Sequence, residues 1–511
     1  MWADRVVRRI KCWGDTPDHR SDARPTCNLR ATVSPAIVPP MNRFFAFLTL
    51  ALLTASVARA ADWPRFLGPR GDNISSETNL VQQFPTNGLP IVWERAIGTG
   101  YSAPSVRDGR LVLHHRVGGE EIVESLDAVT GRAQWRHAYP SAYTDPYGYN
   151  NGPRCTPLLT SNRCYTLGAE GKLFCLELTT GKVLWQRDTA TDWNVPPAFF
   201  GVGSTPLLDE GRLIVMVGGQ PNAGVVALHP ETGRTLWENV GQTNWQGVVT
   251  IGWRAEIPYQ WSGQEKQASY SSPVAATIHG RRHLLCLMRQ GLVSLNPTNG
   301  AVNFSRWFQS AANDSVNAIV PVVQEDLILL SAAYYRVGAV LLRVKPDGKS
   351  FDEVWRVPQA PMDPRDRDPE TGRWKQPVLE LHWNTPVLRD GFLYAFSGRN
   401  EPDATFRCVD FKTGRLMWSR DERWAGHPAP GAHAQPAVFG RGSAVLADGK
   451  LFALGEGGLL GLFQPNSKQL EEISRWQVPS LYFPCWAAPV LAARRLYLRS
   501  EDHLVCLNVA R

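Results

Sequence analysis

The sequence predicts an all-β chain assembled from one repeated four-stranded unit, and three observations predict it. First, a hairpin recurs: "SLDAVTGRAQW" at 125–135, "CLELTTGKVLW" at 175–185, "VALHPETGRTLW" at 226–237 and "RCVDFKTGRLMW" at 407–418. In each, an apolar strand runs into Thr-Gly-Lys/Arg, and a Trp follows. Second, a small residue, often followed by Pro, opens an apolar strand upstream of each copy. Third, the chain holds 19 Trp, 44 Gly and 38 Pro, which suits many turns and large packing residues. No long amphipathic helical pattern stands out. A chain of 511 residues is long enough for several domains or one large repeat architecture.

Eight units follow one another. Their opening strands begin "SAPSV" at 102, "CTPLL" at 155, "STPLL" at 204, "SSPVA" at 271, "IVPVV" at 319, "NTPVL" at 384, "SAVLA" at 443 and "AAPVL" at 487. Strand A follows the small residue. A turn such as Asp108-Gly109 or Asp390-Gly391 leads to strand B. A second loop leads to strand C, and the Thr-Gly turn leads to strand D with its aromatic. The C–D turn glycines are 131, 181, 233, 300, 348 and 414. The seventh turn, near Asn466-Ser467, lacks Gly. The eighth C strand, "HLVCLN", stops near the C-terminus with no D strand after it. "IVWERAI" at 91–97 precedes the first strand A and is available to complete the last unit. Four-stranded units at this period are blades, and the expected fold is an eight-bladed β-propeller whose ring the N-terminal strand closes. "DPETGRW" at 368–374 lacks a preceding apolar strand and reads as a loop.

The N-terminus precedes this fold. Met41 opens "NRFFAFLTLALLTASVARA", one Arg before a dozen apolar residues and then Ala58-Arg59-Ala60. That layout is a secretory signal peptide over 41–60, too short for a membrane span. It places the true start at Met41 and makes residues 1–40 a misassigned extension; a disordered extension is the alternative. Residues 61–90 form an N-terminal arm, and 91–511 the propeller. The whole chain carries +7. Discounting residues 1–40, with seven Lys/Arg against four Asp/Glu, and Arg43 and Arg59 of the signal, the remainder carries +2. Near-neutrality offers no footprint for nucleic acid or anionic membrane. Seven Cys remain beyond the signal, with no CxxC. Cys164 and Cys175 sit on two arms of one hairpin, which permits a bridge; small buried thiols in strands are the other reading. No Cys follows the cleavage point to carry a lipid anchor. The expectation is an exported, periplasmic or secreted monomer.

The repeated Trp reads as packing between blades, because a large indole on the outer strand removes roughly 150–250 Å² from water when buried. Trp135, Trp185, Trp237 and Trp418 share the position, with Phe304 and Trp355 as substitutes. Chemistry is therefore expected in the long D–A loops and the B–C loops, which share one face. Before the second strand A, "YGYNNGPRC" offers Asn150, Asn151 and Arg154; Arg154 suits a carboxylate clamp or a structural loop bond. Trp383 and Asn384 stand at the equivalent place in "LHWNTP". Trp253, Arg254 and Glu256 come from "GWRAEIPYQW", Trp486 precedes the last strand A, and Arg289 and Glu456 occupy B–C loops. Aromatics with a few polar groups around a channel suit a planar quinone or a sugar, and suit loop packing as well. His427 and His433, six apart in a Pro/Gly loop, are no metal signature, and His114-His115 point to opposite strand faces.

An apolar C strand, an often acidic residue, Thr-Gly-Lys/Arg and Trp together resemble the pyrroloquinoline-quinone (PQQ)-type repeat of quinoprotein propellers and of BamB. "DWPRFLGPRGDNISSE" at 62–77, "NNGPRCTP" at 150–157 and "CWAAPVLAARRLYLRSEDHLVCL" at 485–507 are similar to exported bacterial PQQ-like repeat proteins. The resemblance implies two functions. One is a binding or scaffold protein of the cell envelope, meeting a partner protein or peptide through its loop-rich face. The other is a periplasmic dehydrogenase using PQQ with calcium to oxidise a small alcohol or sugar. The chain departs from both: it has no adjacent Cys-Cys pair and no lipidated Cys. The residues themselves name no cofactor and no catalytic base.

Overall fold

The computed structural model describes residues 61–198, 200–240, 268–310, 312, 315–358, 369–370, 375–399, 403–423 and 438–511. The signal segment, Trp253, Arg254, Glu256, His427, His433 and most of 368–374 lie outside the described residues. The fold is an eight-bladed β-propeller of four-stranded antiparallel sheets. Blade 1, for example, runs through Ser105–Arg107, Arg110–Val117, Glu120–Asp127 and Ala133–Pro140 as strands A to D. The last sheet contains Val490–Ala492, Arg495–Arg499 and His503–Asn508, and Ile91–Ala96 pairs antiparallel with His503–Asn508 as its fourth strand. Trp93 faces Cys506 in that register. The A–B turns are of the type that matches strand twist: Asp108-Gly109, Asp390-Gly391 and Asp448-Gly449 all have both central residues at positive φ.

The core lies between blades. Val112, Val123, Cys164, Phe174 and Leu176 form one cluster across blades 1 and 2. Tyr165, Leu173, Cys175, Val215 and Val226 form the next, across blades 2 and 3. This arrangement settles the cysteines. Cys164 pairs with Leu176 and Cys175 with Tyr165, so a one-residue offset sends the two thiols to opposite faces of the sheet. Both are free and buried, and burial pushes both thiols up, Cys175 to about 12.

The repeated hairpin builds the junctions. Gly131, Gly181, Gly233, Gly300 and Gly414 all have φ between 68 and 73°. The indole of the preceding blade lies on each of them. A Cβ on Gly181 would meet Trp135 at 2.5 Å, and one on Gly233 would meet Trp185 at 2.7 Å. The same indoles reach past the glycine to a backbone carbonyl. Nε1 of Trp93, Trp135, Trp185, Trp237, Trp355 and Trp418 donates to the carbonyl of Ala128, Leu178, Pro230, Pro297, Phe411 and Asn466 in turn, at 2.8–3.2 Å. The rings are half-buried rather than fully covered. Phe304 cannot donate; it packs on Phe351 of the next blade instead, ring centroids 5.3 Å apart. In blade 7, Trp476 lies on Gly88 of the N-terminal arm.

The arm spans the inner strands. Trp63 exchanges two backbone hydrogen bonds with Val106 of blade 1, and Pro64 accepts from Leu159 of blade 2. Ser75 and Asn73 bond Leu446 of blade 7, and Asn73 Nδ2 donates to the Thr385 carbonyl of blade 6 at 3.2 Å. Strand A of a propeller blade has an unpaired inner edge, and the arm satisfies part of it.

A substitution pair isolates the junction. Gly181→Ala and Gly109→Ala both force a side chain into left-handed backbone, costing about 1–2 kcal/mol. Nothing lies within 4 Å of a Cβ at Gly109, whereas Gly181 faces the Trp135 ring. Overpacking adds about 1–3 kcal/mol. Urea unfolding of the two variants should therefore show the larger loss for Gly181→Ala, and equal midpoints would contradict the packing role of the turn glycine.

Candidate functional site

The site is built from one repeat position. Counting three residues back from the Pro of each strand A, or from Ala444 where blade 7 lacks it, gives Tyr101, Arg154, Gly203, Tyr270, Ala318, Trp383, Arg441 and Trp486. All eight line a single cavity of about 180 Å³ at the centre of the ring. Because strand A is the strand nearest the axis, the residue just before it faces the channel mouth in every blade. Four of the eight are aromatic, two are Arg, and Gly203 and Ala318 leave room. The D–A loops add Tyr149 and Phe200, and the B–C loop of blade 5 adds Tyr334. Phe66, Leu67 and Asn73 of the arm form the floor. A second space of about 220 Å³ lies beyond Phe66 and Leu67, lined by Arg65, Asp209 and Arg282 among others, so the arm divides the channel.

The aromatic wall is continuous. Ring centroids of Trp486 lie 4.9 Å from Tyr101, 5.6 Å from Tyr149 and 5.1 Å from Trp383. Phe200 joins Tyr149 to Tyr270 at 5.9 and 5.4 Å. Burial pushes the phenol of Tyr270 up to about 12 and raises those of Tyr101 and Tyr334 further, so all three remain neutral.

Both cavity arginines are committed to the protein. The Arg441 guanidinium lies 4.5 Å from the Trp383 ring centre and 5.4 Å from that of Trp486. Its Nη2 donates to Glu456 Oε2 at 2.9 Å and its Nη1 to the Arg399 carbonyl at 2.7 Å. Glu456 is wholly buried behind the wall and also accepts from Trp486 Nε1 at 3.0 Å. Arg154 Nη2 donates to Asp145 Oδ2 at 2.6 Å and its Nη1 to the Gly152 carbonyl at 2.9 Å. These two paired charges cancel, so neither arginine brings a net charge to the wall. His382 completes this side. Arg441 Nη1 approaches its Nδ1 at 3.4 Å, which places the ring proton on Nε2. Burial, reinforced by Arg441 and Arg399, holds His382 well below its ordinary value and therefore neutral. Among the described residues, no carboxylate lines the cavity.

The expected site residues divide accordingly. Arg154, Trp383, Asn384 and Trp486 come together on the wall, and Glu456 stands behind it. Asn384 spends its amide on the carbonyls of Phe396 and Gly442, at 2.6 and 3.0 Å, tying blade 6 to blade 7. Asn150 and Asn151 shape the loop that holds Asp145: Asn151 Oδ1 accepts from the Asp145 amide at 2.8 Å. Arg289 is buried and donates to the Ser315 carbonyl, away from the lining. Arg441, His382, Tyr101, Tyr270 and the arm residues were not anticipated. The repeat position names Arg441, Tyr101 and Tyr270 once all eight units are aligned; nothing local marks Asn73.

Behind His382 lies Glu380, also buried. Burial pushes its carboxyl up to about 7, Arg336 opposes this, and Asp403 adds to it. The folded value exceeds the unfolded one, so its contribution is fully present below about pH 4.5 and is lost as pH rises through about 7. Glu380→Gln should flatten the fall in melting temperature across that window, an effect of about 3 kcal/mol. Parallel melting curves for the two proteins between pH 4.5 and 7.5 would contradict the assignment.

Similarities to known proteins follow this geometry. The family model described as outer membrane protein assembly factor BamB matches residues 75–192 and 119–363, together more than half of the chain. The quinoprotein alcohol dehydrogenase PedH of Pseudomonas putida is 27% identical over 222 residues, which is 37% of this chain. That stretch spans 34% of the relative's own length. BamB from Moraxella catarrhalis superposes with a TM-score of 0.50 at 13% identity, over 82% of this chain and 97% of that one. Quinohemoprotein alcohol dehydrogenase from Comamonas testosteroni superposes at 0.56 and 13% identity, over 89% and 82%. At these identities the superpositions show the fold. Among the described residues, no helix is long and apolar enough to cross a membrane.

Proposed function

The chain belongs to the PQQ-like-repeat family whose model is described as outer membrane protein assembly factor BamB, and from that premise we propose that it is an exported binding protein of the cell envelope. Its loop-rich face meets a partner protein or peptide, and the cavity at the centre of that face receives part of what it binds. The observation that carries this reading is the wall itself. Among the described residues, the eight equivalent positions supply four aromatic rings and two internally paired arginines, and the lining holds no carboxylate and a neutral His382. Such a lining holds a ligand by surface contact and lacks a base poised to take a proton. Tyr147 and Tyr149 at the rim are 56% and 54% exposed and both pack on Phe200, a pairing of bare aromatic area and rigidity that suits an interface.

A second reading, a PQQ-dependent dehydrogenase, is favoured by the stretch similar to PedH and by rings that would accept a planar quinone. The donor set does not fit the calcium that accompanies it. Among the described residues no three His, Cys, Asp or Glu are grouped to hold a metal ion. Glu456 and Asp145, the carboxylates behind the two wall arginines, are each bound to one of them.

Photo-crosslinking in the native envelope tests the first reading. A photoreactive residue at Tyr149 should trap an envelope protein, while one at Asp390, on the opposite A–B face, should not. Equal trapping from both positions would overturn it. So would saturable binding of PQQ with calcium accompanied by dye-coupled oxidation of an alcohol or sugar.

A further inference from the structure

The space beyond the arm, about 220 Å³, holds a charge that the protein does not answer. Three arginines line it: Arg65, Arg70 and Arg282. Two are paired. Arg70 Nε lies 2.8 Å from Asp72 Oδ2, and Arg282 binds both oxygens of Asp209 through Nε, at 3.1 Å, and Nη2. Arg65 is not paired. Its Nε donates to the Pro69 carbonyl at 3.3 Å, and among the described residues no acceptor meets its Nη1 or Nη2. The residue is half-buried, and neither Nη is sealed from solvent. Its place is fixed by the arm's own turn. The Arg65 carbonyl accepts from Gly68 N at 3.1 Å, and a Cβ on Gly71 would stand 3.3 Å from Arg65 Nη2. Pro69 and Gly71 line the space on the arm side, and Asp209 and Arg282 line it from blades 3 and 4. Burial lowers the Arg65 pKa, Asp72 and Asp209 oppose this, and Arg282 adds to it. The guanidinium therefore borders the space between the arm turn and those two blades.

We infer that this second space is an anion site for a small monocarboxylate, held by Arg65 Nη1 and Nη2. It is distinct from the aromatic cavity and does not rest on the reading of the loop-rich face. Charge sets the sign of the ligand. Arg70 and Arg282 are answered by Asp72 and Asp209, so one positive charge is left, on Arg65. One negative charge matches it; a dianion carries a second with nothing left to meet it. Geometry selects the group. The two free Nη atoms lie in one plane, and a planar carboxylate accepts from such a pair with both oxygens. A guanidinium cannot be relieved by losing its proton, so its donors stay in place at any working pH. The body of the ligand is apolar, because Leu207, Val274 and Val320 line the remaining wall. Size sets its length: a cavity of about 150 Å³ holds a benzene ring, and this one, about 220 Å³, has room for such a ring and its carboxylate.

The test is calorimetry on the full mature chain in a buffer free of carboxylate and phosphate. The probes are benzoate and 3-methylbutanoate, with benzamide, benzylammonium and inorganic phosphate as comparators. At least one carboxylate should bind saturably, and benzamide, of the same shape without the charge, should bind at least tenfold more weakly. Arg65→Met keeps the stem and removes the donors, and should weaken carboxylate binding at least tenfold. Asp209→Asn frees Arg282 and should strengthen it at least threefold, a gain that damage to the fold would not produce. Should Arg65→Met fail to fold, the benzoate–benzamide contrast on the unaltered protein and the Asp209→Asn gain carry the test. Binding of neither carboxylate overturns the inference. So does equal affinity for benzoate and benzamide, tighter binding of phosphate or benzylammonium, or affinity indifferent to both substitutions. A free acid and the C-terminus of a peptide share this chemistry. A peptide ending in Val with a free carboxylate that binds at least as tightly as 3-methylbutanoate, and loses binding when amidated, marks the chain end; weaker binding of the peptide marks the free acid. Crosslinking from Tyr149 reports on the other face and should be unchanged in Arg65→Met.

Discussion

The contact between an indole and the next blade's turn is the interaction on which this structure depends. It makes three demands at once. The turn needs a residue at positive φ, the space above it must be free of a Cβ, and a carbonyl three residues earlier must point at the indole N–H. Gly181 and Leu178 meet all three for Trp135, and Gly233 and Pro230 do so for Trp185. A half-buried Trp with a satisfied N–H gains area without leaving a polar group stranded. Where one demand lapses, the junction is rebuilt by other means. Phe304 forgoes the hydrogen bond and packs ring to ring, and Trp476 finds its glycine in the arm at Gly88.

A ring held by repeated junctions leaves its centre to be decided by what the blades place just before strand A. That position is fixed in space by the repeat and free in chemistry. Tyr101, Tyr270, Trp383 and Trp486 make it aromatic in four blades; Gly203 and Ala318 make it small in two. The room exists because two of eight wall residues are small. The arm then closes one end, since Phe66 and Leu67 stand between the cavity and the space beyond. A segment before the first blade therefore helps define the site that all eight blades surround.

What was legible in the sequence was what recurs. The turn glycines, the junction aromatics and the eight strand A openings are each written several times, so a period reveals them. The cysteine question turned on register: Cys164 and Cys175 share a hairpin but sit one residue out of step, which no count of cysteines discloses. Trp383, Asn384, Arg154 and Trp486 were found because each adjoins a small-Pro pair. Arg441 escaped because "RGSA" lacks that proline, although it holds the same repeat position. Asn73 was invisible, because its amide partner Thr385 is 312 residues away and belongs to another blade.

The arginines show how misleading residue type is without its partners. Arg154 and Arg441 both face the channel mouth, and Arg154 fits a carboxylate clamp by sequence. In place, each stacks on aromatic rings, at 5.6 Å from Tyr101 and 4.5 Å from Trp383, and each spends its donors on a buried acid and a carbonyl. A guanidinium used this way is a flat, rigid wall panel, and its charge is answered inside the protein. Removing Glu456 or Asp145 would turn the same panel into an unpaired buried cation, which is costly. The wall thus presents faces more than charges.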